Sequence, residues 1–258
     1  MLRYCCLGSG SEGNALIVEA ADGLWPTRVL VDNGFNLRQL RRRLWRVGLT
    51  IDEIDAIIIT HEHDDHACGV VALARRRRLP VHATAGTARA CRLAERGCDW
   101  RPLRGGNTIG LGGLSVRPYA VPHDAAEPVQ FVFSDGAARL GLLTDIGSIT
   151  DGVVASLAGL RAFILECNHD AEMLRTGPYP YFLKTRIAGD HGHLSNAQAA
   201  ELLARIDRRC LQTVIAAHLS RHNNRPALAR GALAHVLGCD EGDVMIADQD
   251  DGFGWRVL

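Results

Sequence analysis

The run Ile57-Ile58-Ile59-Thr60-His61-Glu62-His63-Asp64-Asp65-His66 sets an apolar stretch of strand character directly against metal-seeking side chains. Three imidazoles and the Asp65 carboxylate arrive within six positions, at the end of a rigid element. Imidazole nitrogen and carboxylate oxygen are the ligands that first-row divalent metals take, and a strand end holds them within the tolerance a metal demands. By spacing, His61 and His63 flank one ion while Asp65 and His66 turn toward a second. A binuclear metal site is therefore expected.

Three more residues repeat the construction. His123 follows the stretch Val116 to Pro122, Asp145 ends Leu140-Gly141-Leu142-Leu143-Thr144, and His218 ends Val214-Ile215-Ala216-Ala217. Each is a ligand-type side chain delivered by an apolar strand, and four such strand ends in one chain reinforce one another.

The elements that must position these residues are legible as alternating or continuous apolar runs. Beyond a first strand at the N-terminus, strands are expected at 16–19, 29–32, 56–60, 114–120, 129–133, 140–144, 162–166, 213–217 and 243–246. Helical patterns fall at 36–47, with Asn36 as cap, and at 66–78, 85–96, 196–206 and 226–237. Thr50 and Glu53 read as a capping box. Several consecutive strands lack intervening helices, which points to two mixed sheets packed together with helices outside. With no repeat and no linker rich in Pro, Gly and Ser, residues 1–258 read as a single domain.

Composition narrows the function classes. Net charge is zero, so no global field draws the protein to nucleic acid or membrane. No apolar run approaches the roughly 18 residues of a membrane span, and Met1 to Gly8 lack the pattern of an export signal; no membrane partner and a cytoplasmic location are expected. The eight cysteines mostly sit inside apolar runs, where a free thiol acts as a small hydrophobe, and none forms a CxxC pair. Arg38, Arg41, Arg42, Arg43 and Arg46 on one helix, and Arg75 to Arg78 closing another, are either solvated helix faces or phosphate contacts. His82 and His235 read as ordinary fold residues.

The order HxHxDH, then His123, Asp145 and His218, resembles the metallo-β-lactamase superfamily. That resemblance implies an α+β fold, an αββα four-layer sandwich with a binuclear metal site at the sheet edge. It implies His61, His63 and His123 on one metal, Asp65, His66 and His218 on the other, and Asp145 bridging both. His63 stands where a di-iron, oxygen-reducing branch usually has Glu. Asp32-Asn33-Gly34 matches the family's Asp-x-Gly motif, with Asp32 supporting a ligand rather than binding metal.

Gly192-His193-Leu194-Ser195-Asn196 resembles the histidine motif of RNase Z-type phosphodiesterases. In that pattern His193, backed by Glu166, donates a proton to the leaving oxygen; His191 is the alternative, and Ser195 or Asn196 caps the following helix. Gly8-Ser9-Gly10-Ser11-Glu12-Gly13-Asn14, Glu166-Cys167-Asn168-His169-Asp170, the run Met173 to Pro180, and His218-Leu219-Ser220 with Asn223-Asn224 narrow the resemblance to the YycJ/WalJ-like branch. Asp64 and His222 depart from the residues usual there, and neither removes a ligand. Ser9, Ser11 and Asn14 either line the mouth of the site or form a plain turn.

The expected activity is that of a metal-dependent phosphodiesterase, a DNA exonuclease or other nuclease. A metal-bridged hydroxide attacks phosphorus, with Asp65, His193 and Glu166 as catalytic residues. Two divalent ions are implied, zinc, manganese or iron, and the implied partner is DNA. The rival readings are a hydrolase of small or cyclic nucleotide-like phosphodiesters, a thioester or amide hydrolase, and a non-catalytic member whose metals brace an interaction surface.

Overall fold

The computed structural model describes residues 1–23 and 25–258. Its strands, in chain order, are β1 (Leu2–Gly8), β2 (Ala15–Asp22), β3 (Trp25–Val31), β4 (Ala56–Ile58), β5 (Pro80–Ala83), β6 (Asp99–Pro102) and β7 (Ile109–Leu111). They continue with β8 (Leu114–Ala120), β9 (Val129–Ser134), β10 (Arg139–Leu143), β11 (Ala162–Glu166), β12 (Thr213–Ala217), β13 (Met245–Ile246) and β14 (Phe253–Val257). Two seven-stranded sheets result, in the orders β14-β1-β2-β3-β4-β5-β6 and β13-β12-β11-β10-β9-β8-β7.

Both faces of each sheet are covered, which is why the strands read as continuous apolar runs rather than as clean alternation. Side chains still alternate by parity. Tyr4, Cys6, Ile58, Ile164 and Ile215 point between the sheets, into one apolar cluster. Cys5, Leu7, Ile57 and Ile59 point outward beneath the helices Leu37–Arg46 and Val70–Arg77. On the other side Phe163, Leu165, Val214 and Ala216 point outward beneath Asn196–Arg205 and Pro226–Leu237. Helix, sheet, sheet, helix is the four-layer sandwich the sequence implied. Each fully buried Leu, Ile or Phe contributes about 1.5–3 kcal/mol to holding these layers.

Helix starts follow their caps. Asn36 accepts from Gln39 N at 2.9 Å while Gln39 Oε1 accepts from Asn36 N at 3.2 Å, closing the box that opens Leu37–Arg46. Thr50 and Glu53 do the same for a single 3₁₀ turn, Ile51–Glu53. The helix expected over 66–78 is instead two, Asp64–Ala67 and Val70–Arg77. Gly69 interrupts it because its N–H donates to Asn33 O at 2.9 Å, so tightly that a Cβ there would lie 1.9 Å from Phe35 O. The helix expected over 85–96 is regular only over Ala85–Ala90, with Arg92 in the left-handed region at φ 55°.

Strand direction decides where chain ends emerge. β3, β4 and β5 run parallel, as do β10, β11 and β12. Segments that follow parallel strands leave at one common edge, and that edge carries the site.

Candidate metal centre

Ile59 is the last buried apolar residue after β4, and the next polar stretch turns over the sheet edge into the short helix Asp64–Ala67. This brings His61, His63, Asp65 and His66 to one place. From the second sheet come His123 after β8, Asp145 after β10 and His218 after β12. All seven converge. Ligand atoms of His61, His63 and His123 lie within 4.8 Å of one another; so do those of Asp65, His66 and His218, and of His61, His66 and Asp145. The last set joins the other two.

The tautomers explain what the convergence means. His66 Nδ1 donates to Asp32 Oδ2 at 2.8 Å, and His123 Nδ1 to Gly192 O at 3.0 Å. His63 Nε2 donates to Asp124 O at 3.2 Å. Thr60 Oγ1 gives its own proton to Asp32 Oδ2 at 2.8 Å, so it accepts from His61 Nδ1 at 3.0 Å. With the remote nitrogens of His61, His63 and His123 committed as donors, the near nitrogens of these three rings present lone pairs to one another. His61 Nε2 stands 3.1 Å from His63 Nδ1, which stands 3.3 Å from His123 Nε2. Facing lone pairs repel unless a cation or proton sits among them.

Electrostatics say the same. Burial disfavours a charged imidazole throughout; at His61 it prevails, aided by His66, and the pKa falls well below the ordinary range. At His66 burial is overcome by the carboxylates of Asp145, Asp65 and Asp32, which raise it well above that range. Against the same burial, His218 is pushed up to about 10 by Asp145 and Asp65. Burial likewise opposes ionised Asp65 and Asp145, yet His66 and His218 hold both well below the usual carboxylate range. Protons on His66 and His218 thus supply the positive charge that two buried carboxylates require.

Asp145 is the most telling residue. Its Oδ2 is buried 3.1 Å from His66 Nε2 but accepts no well-directed hydrogen bond among the described residues. Its Oδ1 is 3.6 Å from His218 Nε2 and 3.9 Å from His123 Nε2, between the two sets. A buried carboxylate oxygen so poorly aligned with its one near donor suits a cation. Donor set, tautomers and orphaned oxygen all fit divalent metal.

Residues 27–218 match the model of the beta-lactamase superfamily domain, a span that takes in every residue from Asp32 to His218. The chain belongs to that family. Among similar proteins, exodeoxyribonuclease YycJ of Bacillus anthracis is 36% identical over 239 residues, 92% of this chain and 89% of that protein. Exodeoxyribonuclease WalJ of Streptococcus pneumoniae is 32% identical over 240 residues, 91% of this chain and 88% of that one. Among solved structures, the metallo-beta-lactamase fold protein YhfI of Bacillus subtilis superposes with a TM-score of 0.76 over 99% of this chain and 98% of that chain. At 16% identity, the last likeness is one of fold.

Within this family's frame, the supporting residues have readable roles. Asp32, in the left-handed region at φ 58°, receives Thr60 N at 2.8 Å and clamps His66. Gly34 lies against the Asp65 carbonyl, where a Cβ would approach to 1.9 Å. Ser9 and Asn14 are buried beneath the mouth, and only Ser11 of that turn lines the cleft above. Ser9 Oγ accepts from His218 N at 3.0 Å, while Asn14 Nδ2 reaches Asp65 Oδ2 at 3.3 Å and His66 Nε2 at 3.0 Å.

Glu166, wholly buried at the end of β11, accepts from His193 Nδ1 at 2.7 Å and from Leu194 N and Ile146 N at 3.1 Å each. Burial opposes a charged His193, but Glu166 outweighs it and the pKa is raised. His193 lines the cleft, whereas His191 is exposed and contributes its carbonyl to Asp124 N. Ser195 caps Asn196–Arg205 in a box with Gln198, and Asp170 caps Ala171–Thr176. His169 bridges to Ser195 through backbone, and its buried Nδ1 has no hydrogen-bond partner among the described residues. Sequence reasoning missed Asp124 and Arg186, paired at 2.5 Å at the cleft wall. The signal for Asp124 was its place beside His123; Arg186 offered none.

Proposed function

We propose that the chain is a metal-dependent phosphodiesterase that degrades DNA from an end. The observation that carries this reading is the Glu166–His193 pair, 2.7 Å long, set beside Asp145 with His193 Nδ1 only 3.7 Å from Asp145 Oδ1. A hydrolase of reactive amides or thioesters has little use for a buried acid at that position. A phosphodiester leaving group is a basic alkoxide, and it needs one. The names of the two relatives, each matched over nearly its whole length, support DNA as substrate.

In this reading His61, His63 and His123 hold one divalent cation, Asp65, His66 and His218 the other, and Asp145 stands between. Such a pair supplies charge stabilisation to the phosphoryl oxygens and a water of lowered pKa. The chain's own groups do the rest. Asp65, whose Oδ2 accepts from Asn14 Nδ2 at 3.3 Å, orients the attacking water with its other oxygen. Because Glu166 engages Nδ1 of His193, Nε2 is the nitrogen that faces the cleft. Its proton goes to the departing 3′ or 5′ oxygen, and Glu166 stabilises the imidazolium until then.

A second reading, hydrolysis of small nucleotide-like phosphodiesters, is favoured by one feature: the cleft beside the centre is only about 220 Å³. The deciding experiment loads the protein separately with zinc and manganese and assays end-labelled DNA and a chromogenic aryl phosphodiester. Release of mononucleotides from DNA ends, with affinity that falls steeply as salt rises, is the expected result. Cleavage of the aryl ester with no action on DNA at any salt concentration would leave the second reading standing.

A further inference from the structure

The helix Tyr181–Ile187 buries none of its side chains, so the hydrophobic core does not hold it in place. Its C-terminal end is fixed through backbone instead. His193 N donates to Ile187 O at 2.8 Å, and a Cβ on Gly192 would lie 2.2 Å from the carbonyl oxygens of both Arg186 and Ile187. The carbonyl of the same Gly192 accepts from His123 Nδ1 at 3.0 Å. His123, His193 and Arg186 are therefore held in one register through the pair Gly192–His193.

Leu183, Arg186 and Ile187, at i, i+3 and i+4, share one face of the helix and form a wall of the cleft that contains His63 and His193. Arg186 is the one Lys or Arg among the described residues that line it. Its Nε donates to Asp124 Oδ2 at 2.5 Å, which fixes the guanidinium, while Nη1 and Nη2 make no hydrogen bond among the described residues. With Arg186 61% exposed, this pair contributes little to stability. Its placement is more telling. The other oxygen of Asp124 lies 3.5 Å from His123 Nε2, so the carboxylate sets the guanidinium one group further out than the ligands of the first cation.

We propose that Arg186 is a specificity residue of the centre, whose free Nη groups clamp the phosphate next to the one being cut. The inference rests on the phosphodiesterase reading and narrows it to a substrate with consecutive phosphates. The phosphate under attack belongs to the metals and His193; a cation held outside them by Asp124 meets its neighbour along the strand. A planar guanidinium pairs bidentately with phosphate oxygens. Because Asp124 orders the side chain before substrate arrives, little of its freedom is left to lose on binding.

The test compares the metal-loaded protein on a short oligodeoxynucleotide and on a chromogenic aryl phosphodiester, which has a single phosphate. Arg186→Ala should raise KM for DNA about 10–100-fold, the scale of a lost hydrogen bond to a charged group. It should weaken binding of an uncleavable phosphorothioate oligomer, read by anisotropy, by a similar factor. On the aryl diester kcat/KM should fall by less than about threefold, since that substrate offers no second phosphate to hold. A second measurement does not depend on the variant's folding: an uncharged methylphosphonate is placed in turn at each linkage flanking the cut. At one of the two positions KM for the unsubstituted protein should rise as much as Arg186→Ala raises it, and there the substitution should add nothing. The inference falls if Arg186→Ala loses as much on the aryl diester as on DNA, or if its KM for DNA stays within about twofold. It falls equally if neither methylphosphonate raises KM. Such results from a protein that still cleaves DNA leave the phosphodiesterase reading intact; an unsubstituted protein that cleaves the aryl diester but never DNA overturns DNA as substrate and the clamp together.

Discussion

Replacing Glu166 by Gln tests the proton donor without disturbing the fold. The carboxylate is wholly buried and accepts three N–H groups: Oε2 takes the backbone amides of Ile146 and Leu194, Oε1 takes His193 Nδ1. In Glu166→Gln the amide oxygen is needed by the two backbone donors, so the NH₂ group must face His193 Nδ1. Two donors cannot share one bond. His193 then turns its Nδ1 lone pair toward the amide, keeps a proton on Nε2 and becomes neutral, a far weaker acid. The charged hydrogen bond lost is worth about 1.5–3 kcal/mol. The loss of general-acid catalysis should be about 10²–10⁴ in kcat/KM on DNA, roughly 3–5 kcal/mol of barrier. An aryl phosphodiester leaves as a stable phenolate and needs little protonation, so its rate should fall by less than about tenfold. The alkaline limb of the DNA pH–rate profile, which reports loss of the His193 proton, should vanish. Equal losses on both substrates would refute the argument, because a general acid cannot matter equally to alkoxide and phenolate.

Three further outcomes are expected from the same geometry. Asp145→Asn should drop the metal content measured after gel filtration from two ions per chain toward one or fewer, since it removes the buried charge lying between the two sets of ligands. Asp32→Ala should weaken metal affinity by about 10–100-fold in competition with a chelator, because His66 loses the acceptor that fixes its tautomer. Metal loading should release protons: His66 and His218 have raised pKa values, so both are protonated at neutral pH and must give up a proton to bind metal. Affinity should therefore fall as pH falls, and the calorimetric enthalpy at pH 7 should vary with buffer ionisation heat; an enthalpy independent of buffer would contradict the assignment.

Much of this was legible in the chain, for identifiable reasons. Strands buried on both faces, such as β11 and β12, announce themselves as unbroken apolar runs, and a polar ligand at the end of such a run has few structural uses. Of the four edge strands only β13 was legible, within the run expected at 243–246; β6, β7 and β14 were not. All four residues of β6 are at least partly exposed, with no core face to reveal them, and β14 becomes a strand only by pairing with β1 from the opposite end of the chain. The break at Gly69 depends on Asn33 and Phe35, which approach it only in three dimensions. The helix Tyr181–Ile187 buries nothing, so it carries no core-facing period. Asp124 gains its cleft position from Arg186, a partner 62 residues away.

Parity of strand reversal accounts for the location of the centre. β1 and β3 each run antiparallel to β2, so they point the same way, and β4 and β5 run parallel to β3. In the second sheet β8 and β10 each oppose β9, and β11 and β12 follow β10. Eight strands thus end at one rim. Their C-terminal ends deliver, in chain order, the Ser9–Asn14 turn, Asp32, Thr60 with the histidine run, Thr84, His123, Asp145, Glu166 and His218. Pairing register then sets the fine spacing: Val31 lies opposite Ile58, and Glu166 opposite Ala217, so Asp32 falls beside Thr60 and Glu166 beside His218. Neither sheet alone carries all the ligands that the two metals need. The seven proposed ligands are brought within reach only when the sandwich closes, which makes the metal centre and the packing between the sheets two consequences of one arrangement.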